Sequence, residues 1–132
     1  MKIKLLVLIF LISSPFFAQE NAKISSIDFV QIQGENFDEA MHYYQNNWET
    51  LRIKALENNY IESYQLLKSN YSEEAPFHLI LITTYKNASQ FEKREDHFQK
   101  LIDNLGELNL LNDLKPSDFR KVLFGTDAKH LN

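Results

Sequence analysis

The 132-residue chain contains no cysteine. That excludes a disulfide framework, a lipid-modified cysteine anchor and a thiol nucleophile, so any fold depends on its hydrophobic core. There is no surplus of positive charge: the formal net charge is −4, and Lys and Arg are scattered without a basic stripe, which argues against nucleic acid as a partner. No phosphate-cradling glycine loop, nucleotide fingerprint or G-x-S-x-G elbow is present. The four histidines, His42, His78, His97 and His130, form no close ligand pair, and no acidic cluster accompanies them at metal spacing. No metal and no cofactor are therefore expected. Nor is there an apolar run of the ~20 residues needed to cross a bilayer, so no membrane anchor is expected.

What the chain does have begins with MKIKLLVLIFLISSPFFAQE. Lys2 and Lys4, the apolar run Leu5 to Ile12, the Ser13-Ser14-Pro15 break and the small Ala18 follow the order of a secretory signal peptide. The reading is a signal over residues 1–18 and one domain over 19–132, soluble in the periplasm or outside the cell. Removing 18 of 132 residues leaves 114, enough for one compact core, and takes two lysines with it. The mature balance is then 12 basic against 18 acidic residues, a net −6.

Residues 26–33 (SIDFVQIQ) read as a strand, followed by a turn at Gly34-Glu35. Asn36 stands at a helix N-cap with Glu39 three residues on, as in a capping box. Phe37, Ala40, Met41, Tyr44, Trp48, Leu51 and Ala55 then recur at three- and four-residue steps, one apolar face of a helix. Asn58-Asn59 stops it. A second strand is expected at 60–68, a connector to Pro76, and a third strand at 77–85. Asn87 or Ser89 caps a second helix, with Phe91, Arg94, Phe98, Leu101, Ile102 and Leu105 on its inner face and Gly106 at its end. Ser117-Asp118 cap a short helical turn, and 121–125 read as a last strand.

The order is strand, helix, strand, strand, helix, strand: an α+β, ferredoxin-like βαββα(β) two-layer sandwich. Its third strand is unusual. Phe77, Leu79, Leu81, Thr83 and Tyr85 form one face, while His78, Ile80, Ile82 and Thr84 form the other, and neither is built for water. A second copy covering the open sheet face, across a two-fold axis, gives a homodimer. His78, Ile80, Leu81 and Ile82 are the interface candidates, since the strand alone does not say which face is open. The other solution is a monomer whose C-terminal segment folds over that face.

This element order, with a TTYKN strand end (83–87) feeding a helix, resembles the dimeric α/β-barrel superfamily: antibiotic-biosynthesis-type monooxygenases, haem-degrading enzymes, NIPSNAP-like proteins and stress-responsive barrels. The resemblance covers residues 26–105. It implies a homodimer and a small-molecule pocket, with cofactor-free oxygenation in the monooxygenase-like branch. Tyr85 matches the aromatic that ends the third strand in that branch. Where the branch often carries a histidine on the next helix, this chain has Arg94, and the nearest histidine is His97. Trp48, Tyr85, Arg94 and His97 are the candidate lining of a helix–sheet crevice for a small apolar or aromatic organic molecule. The alternative is a non-catalytic interaction module whose role is dimerisation or partner binding.

Overall fold

The computed structural model describes residues 21–132. The segment 1–18, read from the sequence as a signal peptide, lies outside them. Four strands form one antiparallel sheet in the order β2-β3-β1-β4: β1 (Ile24–Ile32), β2 (Ser63–Lys68), β3 (Leu79–Tyr85) and β4 (Arg120–Lys129). The helices are α1 (Phe37–Tyr43), α2 (Glu49–Glu57), α3 (Ala88–Glu92), α4 (Arg94–Leu105) and the short α5 (Pro116–Phe119). This is the ferredoxin-like order read from the sequence, with a last strand twice as long as expected. Among the described residues no helix is long and apolar enough to cross a membrane.

The register assigns each strand residue to a face, because directly opposed residues point the same way. Val30 pairs with Leu79, Asp28 with Leu81, Ser26 with Thr83 and Ile24 with Tyr85. Val30, Ile32, Leu79 and Leu81 join Ala40, Tyr44 and Phe119 in the main core, so this is the face under the helices. A second cluster, Ala55, Ile61, Tyr85 and Leu101, continues it toward the other end of the sheet. Leu81, only 4% exposed and part of the core, is therefore no interface residue. His78 is also used within the chain: its Nδ1 accepts the Ile32 amide at 2.9 Å, and Tyr71 stacks on its ring. Ile80 and Ile82 do lie on the open face. There they join Ile27, Phe29, Leu67 and Phe124, with Phe29 stacked on Phe124 at 4.5 Å and edge-on to Phe77 at 4.8 Å.

The C-terminal segment does not fold over that face. Leu110 and Leu114 pack against the main core beside α1, and β4 adds to the sheet edge next to β1. The device that holds the segment is Asn47. Its amide donates to Asn109 O (2.7 Å) and to Tyr43 O (2.9 Å), while its own oxygen accepts the Asn109 amide (2.7 Å). All of its main hydrogen-bonding capacity is thus used in a buried position. Asn47 belongs to a single π turn, Tyr44–Trp48, that joins α1 to α2. Such a turn accommodates one extra residue and rotates the following helix relative to the one before it.

The helix ends follow their residues, with one exception. Asn87 Oδ1 accepts the Gln90 amide at 2.9 Å, Asn59 takes the left-handed conformation (φ 57°) after α2, and Gly106 (φ 75°) ends α4. Asn36, however, is no cap: its amide turns back to donate to Gln33 O at 3.0 Å. The capping box with Glu39 is absent, and Glu39 instead accepts from Asn112 at 3.2 Å, a further tie to the C-terminal segment. The expected second long helix is broken at Lys93 (φ −86°, ψ 0°) into α3 and α4.

Candidate functional site

Along the helix-facing side of β1 the chemistry changes abruptly, from Val30 to Asp28 and Ser26. Asp28 is opposed on β4 by Gly125, and Ser26 by Asp127, whose carboxylate accepts from the Ser26 hydroxyl at 2.9 Å. Gly125 makes room for the acid: a Cβ there would stand 2.5 Å from Asp28 Oδ1, so the carboxylate takes the space a side chain would fill. Above these strands, α2 and α4 do not close fully. A cavity of about 500 Å³ remains, lined by Asp28, Asp127, Arg52, Tyr85, Arg94 and Phe98, among others. That is the size of a small-molecule site, with Leu51 and Ile102 completing the wall.

Arg52 dominates it. Arg52, one turn on from Trp48, stands on the inner side of the helix layer. Its guanidinium lies between two aromatic rings, 4.3 Å from the centre of Trp48 and 4.5 Å from that of Phe98, and its Nε donates to Thr83 Oγ1 at 3.2 Å. Burial pulls its pKa down to about 10, opposed by Tyr85 and Asp28 nearby, so it remains cationic at neutral pH. Burial in turn raises the Asp28 carboxyl above the usual 3.8; Arg52 pulls it back and Asp127 pushes it further up. Burial likewise raises the Tyr85 phenol, with Arg52 and Arg94 opposing.

Of the four residues expected from the sequence, Tyr85 and Arg94 line the cavity. Tyr85 sits edge-on to Phe91 at 5.5 Å, and Arg94 folds back over that same ring at 3.9 Å while donating to Phe91 O at 2.9 Å. Arg94 therefore has the π partner its place on an apolar helix face demands. Trp48 lies beneath Arg52, edge-on to Tyr64 at 5.8 Å, and supports the cavity from behind. His97 is elsewhere. Its ring stacks on Tyr60 at 3.8 Å, and its Nδ1 is enclosed without a hydrogen-bond partner among the described residues. Desolvation, then Lys100 and Lys93, hold it below the ordinary histidine value. The residues missed from the sequence are Arg52, Asp28 and Gly125. The available signal was a cation four residues after Trp48 on the apolar stripe. Among the described residues, no three His, Asp or Glu side chains are grouped to hold a metal ion.

No protein-family model matches the chain, and no curated protein matches it. Solved structures do. HapK from Hahella chejuensis aligns with a TM-score of 0.53 at 12% identity, over 82% of this chain and 92% of its own. A protein provisionally described as a monooxygenase from Shewanella loihica PV-4 aligns at 0.48 and 22% identity, over 83% and 92% of the two chains. Another provisionally described as an antibiotic biosynthesis monooxygenase, from Nitrosomonas europaea, aligns at 0.44 and 14%, over 86% and 93%. The likeness is one of fold, and at that level the resemblance drawn from element order and strand ends holds.

Proposed function

We propose that this protein is an exported homodimer that binds a small apolar or aromatic organic molecule between its helices and its sheet. The observation that carries the reading is the crevice at Asp28, Arg52 and Tyr85, where the inner face of β1, apolar at Val30 and Ile32, turns polar at Asp28 and Ser26 around open space. Phe98, Leu51 and Ile102 suit a flat or apolar body, and the charged groups at its rim fix its orientation. Asp28, Glu95, Asp127 and Tyr85 are the groups able to exchange a proton there. Oxygenation is the chemistry suggested by the provisional descriptions of the Shewanella and Nitrosomonas proteins. Here it would work without a cavity histidine, because His97 is turned to Tyr60.

The dimer rests on the open sheet face. Phe29, Phe77, Phe124, Ile80 and Ile82 make one contiguous apolar surface that the C-terminal segment leaves uncovered, and Phe124 is 53% exposed. Each such side chain gains about 1.5–3 kcal/mol on full burial. The same surface supports the second reading, a non-catalytic module whose role is association.

Trp48 is the chain's single tryptophan and lies under Arg52, so it reports on the cavity. Titration with haem, quinones, flavins and aromatic acids should quench its fluorescence for the fitting class and raise the melting temperature. A panel that does neither leaves the association module as the function. Light scattering should give twice the mature mass, with Ile80→Asp splitting the dimer; a wild-type monomer at high concentration removes the dimer.

A further inference from the structure

A guanidinium held as Arg52 is held leaves its best binding edge unused. The two flanking rings and the Nε bond to Thr83 fix its plane, and the terminal Nη pair makes no hydrogen bond among the described residues. No carboxylate oxygen of those residues lies within 4.0 Å of it; the ion pair found among them is Lys23–Glu62. Yet the group borders open space with apolar walls. A buried cation without a paired anion is costly, and a rigid guanidinium fork matches a planar two-oxygen anion.

From this geometry we infer that the ligand is a small aromatic or apolar carboxylic acid whose carboxylate docks on the Nη edge of Arg52, with Asp28 taking up a proton as the anion enters. This deepens the small-molecule reading and rests on it. The body of the acid lies against Phe98, Leu51 and Ile102. The charged and titratable groups around Asp28 are Tyr44 from the π turn, Arg52 from α2, Arg94 and Glu95 from α4, Tyr85 from β3 and Asp127 from β4. A second carboxylate brought beside Asp28 and Asp127 would repel both, and protonating Asp28 relieves it. The step moves one proton from solvent to Asp28 and breaks no other bond. Asp28 is already inclined that way, since burial raises its pKa. Affinity for the acid therefore rises as pH falls, as long as the acid itself stays ionised.

Calorimetric titration of the mature protein with 2-naphthoate and with its neutral twin 2-naphthamide tests this. The acid should bind roughly tenfold to a hundredfold more tightly than the amide, and more tightly at mildly acidic than at alkaline pH. Arg52→Met should erase the preference for the acid while leaving the melting temperature level or higher, since an unpaired buried charge is removed. If that variant does not fold, Arg52→Lys keeps the charge without the fork and should weaken the acid alone. Asp28→Asn should bind the acid with little pH dependence. Equal affinity for acid and amide overturns the inference and leaves the cavity as a binding site. Undiminished pH dependence in Asp28→Asn overturns the proton uptake. Absence of binding by either compound overturns both the inference and the small-molecule reading beneath it.

Discussion

The two ends of the sheet's inner face share strands, register and helix cover, yet they were given opposite chemistry. At one end Val30 and Leu79 are 0% exposed, closed over by Ala40, Tyr44 and Phe119. At the other, Asp28 and Ser26 on the same strand meet Gly125 and Asp127, and the helices leave a cavity in which Arg52 and Arg94 stand. The first end is packed for stability. The second gives up packing and accepts a cation between two aromatic rings, which stability alone does not call for. Sites and cores can thus lie on one pair of strands, separated by a single step along β1.

That division can be broken from either side. Leu79→Ala should cost about 2–5 kcal/mol in chemical denaturation through the cavity it leaves, with naphthoate affinity unchanged in the fraction that folds. Equal loss of stability and of affinity would mean the ends are one unit. Asn47→Ala removes three hydrogen bonds from a buried clamp and strands the Asn109 backbone groups. It should cost about 1–3 kcal/mol and speed amide exchange across residues 107–112, leaving β1 and β3 protected.

Smaller effects are expected where the site meets β4. Gly125→Ala places a methyl where Asp28 Oδ1 lies, and the short carboxylate side chain can move aside. Stability should fall by about 1 kcal/mol, while the pH dependence of acid binding changes more visibly. The smallest effect is that of Asp28→Asn. Asp28 has a raised pKa in the folded state, so its stabilising contribution is fully present below the unfolded value of about 3.8 and is lost as pH rises through the folded value. The wild type should therefore fall in stability relative to Asp28→Asn as pH rises across that interval, with no difference developing at higher pH. A wild type that gains on the variant with rising pH would mean that Arg52 outweighs burial.

Much of the apolar end was legible in the chain. The apolar runs place β1 and β3, three-to-four spacing places the helical stretch that holds α1 and α2, and Asn87, Asn59 and Gly106 mark boundaries because their backbone needs are local. The polar end was less so. Helical spacing does not foresee the π turn at Tyr44–Trp48, whose Asn47 meets Asn109 sixty-two residues away, and it puts Arg52 on the apolar stripe without saying what surrounds its charge. Asp28 and Gly125 gain meaning only when β4 pairs with β1. Which face of β3 is open was undecidable from a strand apolar on both sides, and the register, not the composition, puts Leu81 inside and Ile80 outside. Asn36 had the right residue for a cap, but its side chain found the nearer Gln33 carbonyl.

The most direct test is a backbone amide NMR titration of the mature protein with 2-naphthoate. Binding at the polar end predicts shifts gathered at residues 26–28, 52, 83–85, 94–98 and 125–127, with Val30, Leu79 and Phe119 unmoved. Shifts centred on Phe29, Ile80, Ile82 and Phe124 would place the ligand on the open sheet face and contradict the account, as would a spectrum that does not change.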